Sequence, residues 1–147
     1  MQHITVTQND FIITTDKSKL DLAFVHDYLA NQSYWAKGIP FEKVKSSAEN
    51  SLTFAVLYKD QQIGYARVIS DFTTIAYLGD VFIDEGFRGK GLSKWLMETI
   101  MNNPNLQGLR RWILLTLDAH KLYEQYGFNP VEKPERYMEK FNPNVYL

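Results

Sequence analysis

The chain contains no cysteine. Disulfides, thiolate metal sites and a cysteine nucleophile are excluded, so no group can be carried on a protein thiol. Neither sign of charge dominates, with 16 Lys and Arg against 17 Asp and Glu and a net charge of -1. That balance supplies no field for nucleic acid or an anionic membrane, and neither is expected as a partner. No apolar run is long enough to span a bilayer, and Met1 to Asp10 lacks the basic start and apolar centre of a signal peptide. The expected location is cytoplasmic. The three histidines, His3, His26 and His120, show no metal-ligand spacing, so no metal is expected. Two phosphate-binding signatures are also missing: the G-x-G-x-x-G of dinucleotide folds, and the P-loop with its lysine followed by Ser or Thr.

What is present suits one domain, residues 1–147. Hydrophobic residues make up 45% and aromatics 14%, enough for a packed core and too many for disorder. A chain of this length buries roughly 70% of its unfolded surface.

Periodicity divides the chain into elements. Phe11 to Thr15 is β-prone, and Leu20, Phe24, Val25, Tyr28 and Leu29 share one helical face that ends near Asn31. Ser18 and Asp21 form the expected capping pair of that helix. Ser33 to Pro40 has no period and reads as a turn carrying Tyr34 and Trp35, after which Pro40 opens a helix with Phe41, Val44 and Ala48 on its apolar face. Strands are predicted at Leu52 to Tyr58, Ile63 to Ile69 and Ile75 to Ile83, and a helix at Leu92 to Met101. Trp112 to Leu117 reads as a buried strand, Ala119 to Tyr126 as a short helix and Arg136 to Phe141 as a last strand. The order predicts an α/β fold with a mixed sheet. The helical link between the Ile75 and Trp112 strands has the length of a crossover and makes those strands parallel.

The chemistry concentrates between Val81 and Leu96. A strand breaks at Asp84, passes through a turn containing Arg88, Gly89, Lys90 and Gly91, and enters the helix at Leu92. A helix start leaves backbone N–H groups without partners at the positive end of the helix dipole, and glycine lets a phosphate approach them. Arg88 and Lys90 add mobile positive charge. The stretch reads as a pyrophosphate cradle.

Arg88-Gly89-Lys90-Gly91-Leu92-Ser93 resembles the Q/R-x-x-G-x-G/A motif of the GNAT superfamily of N-acetyltransferases, with Ser93 where that family prefers Gly or Ala. Ala119-His120-Lys121-Leu122-Tyr123-Glu124-Gln125-Tyr126-Gly127-Phe128 is similar to the A-x-x-L-Y-x-x-x-G-F pattern of the same family, and the element order matches over most of the chain. The resemblance implies a GNAT-like fold of about six or seven strands and about four helices, with acetyl-CoA as co-substrate. It also implies that backbone groups of Val81, Phe82 and Ile83 line a slot for the pantetheine arm, that Thr116 contacts the cofactor where the family often has Asn, and that Tyr123 protonates the departing thiolate. Asp80 stands near the position where many members carry a catalytic glutamate and is the candidate base, although a carboxylate there can equally bind a cationic substrate or pair with Arg67.

In that fold the first helices and their loop form the acceptor side, which makes Tyr34 and Trp35 candidate walls for a small-molecule amine. With no thiol to carry the acetyl group, transfer is expected to be direct, in a ternary complex. An acyl-CoA-binding sensor that keeps the cradle without turnover is the alternative. Many members of the family are dimers, so the resemblance allows a homodimer; the sequence itself shows none.

Overall fold

The computed structural model describes residues Met1–Leu147 and contains one six-stranded sheet. Strand β1 (Thr5–Gln8) precedes β2 (Phe11–Thr14), and α1 (Leu22–Asn31) and α2 (Phe41–Glu49) follow. Strands β3 (Leu52–Tyr58), β4 (Gln61–Ser70) and β5 (Ile75–Ile83) lead to α3 (Leu92–Met101), β6 (Arg111–Leu114) and α4 (His120–Glu124). Sheet order equals chain order. Every neighbouring pair is antiparallel except β5 and β6, which run parallel. The helical crossover between them explains the exception, as the spacing predicts.

The core lies on both faces of the sheet. Sixteen buried residues, including Phe54, Val68 and Leu78 from the strands and Leu96, Met97 and Ile100 from α3, pack as one cluster. On the other face Val25, Tyr28 and Leu29 of α1 and Val44 of α2 close over Tyr65 and Phe82. The Tyr28 ring stacks on Phe82 with centroids 3.8 Å apart. Burial of each such side chain contributes roughly 1.5–3 kcal/mol, so α1 is fastened to the segment of β5 that feeds the cradle. No helix is long and apolar enough to cross a membrane.

The structure departs from the sequence expectations at the ends of elements. Strand β1 was not foreseen; its alternation Thr5-Val6-Thr7-Gln8 and the turn at Asn9, with φ 55°, give a hairpin. The predicted Ser18–Asp21 capping pair is instead two separate caps. Asp16 accepts from the Ser18 N–H at 3.0 Å, and Asp21 caps α1 by accepting from Phe24 N–H at 3.0 Å. Strand β6 stops at Leu114, and Leu115 and Leu117 are exposed rather than buried. Helix α4 is trimmed to His120–Glu124. The predicted strand at Arg136 to Phe141 does not form: that stretch is exposed and lies beside no hydrogen-bonded neighbour, and strand-favouring residues make a strand only where a second backbone is in reach.

Candidate active site

The site begins with an irregularity in β5. Tyr65 pairs with Phe82, but Arg67 pairs with Gly79, so two steps along β4 answer three along β5. The extra residue falls at the Asp80–Val81 position, and Asp80 takes φ 53°, a left-handed conformation that Asp tolerates better than most residues. The parallel pairing with β6 ends just before this bulge, at Leu78 opposite Leu114. Beyond it β5 runs on to Ile83 without pairing on that side while β6 has ended, and the unpaired gap is a V with one wall from Gly79 to Ile83 and the other from Leu115 onward. Asp84 N–H donates to the Ile63 carbonyl of β4 at 2.7 Å. Because backbone groups alternate sides along a strand, Ile83 and Val81 then face the open V while Phe82 faces β4. Of the three expected slot residues, Val81 and Ile83 line the V through their backbone and Phe82 supports it from behind.

The cradle sits at the end of the same strand. Gly89 and Gly91 have φ of 79° and 76°, and a Cβ built on either meets nothing within 4 Å, so both border open space. Gly91 is the N-cap residue of α3. The first hydrogen bond returning to this turn is Trp95 N–H to Gly91 C=O at 3.1 Å, so the six amides from Gly89 to Lys94 have no partner within the chain. This is the donor set that a pyrophosphate requires, at the positive end of a helix. Arg88 is not the mobile charge expected from sequence. Its Nε donates to the Ile83 carbonyl at 3.1 Å and its Nη2 to the Tyr28 hydroxyl at 2.9 Å. It ties the cradle to the V wall and to α1; Arg88 and Lys90 are both exposed, and Lys90 makes no such side-chain hydrogen bond.

Asp80 is engaged on both oxygens. Oδ2 accepts from Arg67 Nε at 2.5 Å and Oδ1 from the Trp35 indole N–H at 2.8 Å, while Arg67 Nη1 reaches Ser51 Oγ at 3.2 Å. The Asp80 side chain is 10% exposed. Behind it lies Tyr65, whose buried hydroxyl has no partner. Burial pushes that phenol's pKa up, the Asp80 charge adds to the shift and Arg67 opposes it. Burial also raises Tyr77, which feels the same two charges. The ion pair Arg67–Asp80 was among the possibilities the sequence allowed. Tyr65 and Ser51 were missed, and only the alternation of β4 could have pointed Tyr65 to the Arg67 face.

On the opposite wall Tyr123 projects from α4 and is 9% exposed. It borders a cavity of about 280 Å³ with Leu114, Leu115, Thr116 and Phe128, alongside the diverging end of β6. Burial pushes its pKa up to about 12, with smaller contributions from Tyr34 and Asp118 and none from a hydrogen bond. The hydroxyl is therefore neutral, protonated and unengaged at physiological pH. Thr116 accepts from Ala119 N–H at 3.0 Å and so leads the chain into α4. Tyr34 accepts from Leu117 N–H at 2.9 Å, and the Tyr34 and Trp35 rings meet edge to face with centroids 5.0 Å apart. One loop thus reaches both arms of the V, Trp35 to the β5 bulge and Tyr34 to the segment after β6. His120 also lines the α4 cavity. His26, at 3.0 Å from the Ile39 carbonyl, belongs to the packing of α1 and takes no part in the site.

Comparison with known proteins agrees with this geometry. The family description "Acetyltransferase (GNAT) domain" matches residues 49–130. A protein of Xanthomonas campestris pv. campestris, assigned as a GNAT-family acetyltransferase, is 46% identical, with a TM-score of 0.91 over 92% of this chain and 96% of that one. A Gibberella zeae protein assigned as an acetyltransferase is 27% identical over 139 residues, spanning 80% of this chain and 77% of its own. A GNAT acetyltransferase of Elizabethkingia anophelis, solved with acetyl-CoA bound, shares the fold at a TM-score of 0.63 and 14% identity, over 93% and 91% of the two chains.

Proposed function

Because the chain belongs to the GNAT acetyltransferase family, we propose that it moves an acetyl group from acetyl-CoA to the primary amine of a small molecule, directly and in a ternary complex. The observation that carries this reading is the run of six unpartnered amides, Gly89 to Lys94, set at the end of a strand that has just parted from its parallel neighbour. Together they offer a pyrophosphate site and, leading away from it, a slot whose wall presents the Val81 backbone and the Ile83 N–H to an amide-containing arm, the Ile83 carbonyl being taken by Arg88. Acetyl-CoA supplies the activated thioester carbonyl.

In the reaction an amine nitrogen bonds to the acetyl carbon, the carbon–sulfur bond breaks, the nitrogen loses a proton to water and the sulfur gains one from an acid that is reprotonated by water. Tyr123 suits the last step. It is protonated and uncharged at neutral pH, so it can meet the developing thiolate as a neutral donor, and the phenolate it leaves takes a proton back from water. Asp80, bonded to Arg67 and Trp35, serves as the anchor of the acceptor loop, and the aromatic faces of Tyr34 and Trp35 form the wall against which the amine lies. A compact site bounded by one loop fits a small acceptor better than a folded protein surface.

The deciding experiment measures free coenzyme A with a thiol reagent across a panel of polyamines, amino acids, aminoglycosides, aryl amines and lysine peptides. A chain without cysteine contributes no background. Release that depends on a small amine is the expected result. Binding of acetyl-CoA without release would favour a sensor of the same fold, and absence of binding would sink the reading.

A further inference from the structure

Both faces of the sheet carry helices, but one face is covered over only part of its length. Toward α3, Val68, Ala76 and Leu78 are all buried. On the opposite face the cluster under α1 and α2 takes only Tyr65 and Phe82 from the sheet. Strand pairing shows what is left open. Ile69 of β4 pairs with Tyr77 of β5, and Tyr77 with Ile113 of β6, so these three form one row across the sheet. Ile75 and Arg111 form the row outside it, and Arg67 and Gly79 the row inside, toward the bulge. Because Val68 and Leu78 between these rows point into the α3 cluster, the rows themselves point to the α1 face. There Ile69 is 45% exposed and Ile75 41%, although β4 and β5 are interior strands, and Tyr77 and Ile113 are half-buried. An apolar platform of this kind, open on interior strands, marks a place where something lies.

The platform starts at the site already described. Its inner row is one residue short of Asp80, where the V opens. A Cβ built on Gly79 would stand 3.0 Å from the Tyr77 ring, so that ring occupies the space a larger residue would take and carries the apolar floor up to the bulge. Trp35 and Tyr34 are held to the two arms of the V by their bonds to Asp80 and to Leu117 N–H. From Gly79 to Ile75 the floor runs four residues of β5, about 13 Å.

Charge decides which body fits. The three rows hold two cations, Arg67 and Arg111, and no carboxylate. Asp80, beside the inner row, already has Arg67 on one oxygen and Trp35 on the other. Asp71, in the turn beyond the outer row, accepts from the Thr73, Thr74 and Ile75 N–H groups and from the Thr74 hydroxyl. A second ammonium on the acceptor would therefore lie on apolar side chains and then meet Arg111, with no counter-charge to receive it.

Building on the acetyl-transfer reading, we propose that the acceptor is a primary monoamine whose alkyl or aryl body lies along Tyr77, Ile69 and Ile113 toward Ile75, with its nitrogen at the bulge. These four side chains set the specificity, and they select against polyamines and aminoglycosides.

The test is calorimetric titration of the chain saturated with coenzyme A, using n-alkylamines from propylamine to octylamine and the α,ω-diamines of the same lengths. Affinity for the monoamines should rise about threefold per added CH₂, and each diamine should bind at least tenfold more weakly than its monoamine. Ile75→Thr should cut the gain for the longest amines, and Ile69→Glu should reverse the octyl pair so that the diamine binds more tightly. Both side chains are largely exposed, so the fold should survive, which far-UV circular dichroism verifies. Wild-type affinity indifferent to length overturns the proposal and leaves the face to some other occupant. So do diamines that bind as tightly as monoamines, or a length dependence that both variants retain, which would put the body elsewhere. The same series with acetyl-CoA separates this claim from the one beneath it. Length-dependent binding without release of coenzyme A would sink acetyl transfer and keep the platform as an amine-binding surface; release that ignores length would sink the platform and keep the transfer.

Discussion

The Trp35 indole N–H donates to Asp80 across 2.8 Å, joining the loop after α1 to the bulge of β5. This bond and the Arg67 contact fix the carboxylate on both oxygens, so Asp80 anchors the loop that carries Tyr34 and Trp35, the wall proposed for the amine. Trp35→Phe removes one hydrogen bond, worth about 1 kcal/mol. Steady-state kinetics should show the KM for the amine raised severalfold, with acetyl-CoA affinity unchanged. A normal amine KM would remove the loop from the acceptor site.

Asp80→Asn sharpens the same point. The amide places an NH₂ against donors on one side and leaves the Arg67 guanidinium, 19% exposed, without its counter-charge. A stability loss of about 1–3 kcal/mol is expected, read as a lower midpoint in urea. Turnover should fall less than tenfold once the amine is saturating. A loss of a hundredfold or more, recovered as pH rises, would instead identify Asp80 as the base.

Gly91 tests the cradle. At φ 76° a substituted residue is strained by about 1–2 kcal/mol. Its side chain enters space that no protein atom occupies. Gly91→Val should leave a folded protein whose acetyl-CoA affinity, measured by calorimetry, is at least tenfold weaker. Unchanged affinity would dissociate the loop from phosphate binding.

How far the site was legible depended on sequence distance. The strand–loop–helix unit around Gly89 and Gly91 was readable because glycine placement and helical period are local signals, while Tyr123 was singled out by the resemblance of its segment to a family pattern, and the structure places it on a cavity wall. The anchoring of Arg88 on Tyr28, 60 residues away, was not: a guanidinium reads as mobile charge until tertiary packing brings a hydroxyl to it. Strand β6 was overextended because the Ile113-Leu114-Leu115 run looks buried, whereas pairing ends where β5 bulges. Hydrophobic pattern reports what favours a strand, and the neighbouring backbone decides where it stops.

Tyr123 gives the last prediction, in two measurements on one variant pair. Burial lifts its pKa to about 12, so the group is protonated throughout the range from pH 7 to about pH 10. A group with a raised pKa keeps its proton until pH climbs through the new value, and activity that depends on that proton should show no basic limb below about pH 10. Tyr123→Phe keeps the ring that packs at 6.1 Å from Phe128 and removes only the hydroxyl. Turnover should fall about a hundredfold, as expected for loss of a positioned acid. Acetyl-CoA binding should change less than twofold. Because the sulfur then departs unaided, the drop in rate from wild type to variant should be smaller for acetyl donors with a more acidic thiol, making the variant the more sensitive of the two to leaving-group acidity. Equal sensitivity of the two enzymes to leaving-group acidity would show that the Tyr123 proton does not reach the sulfur, whatever the size of the drop in turnover.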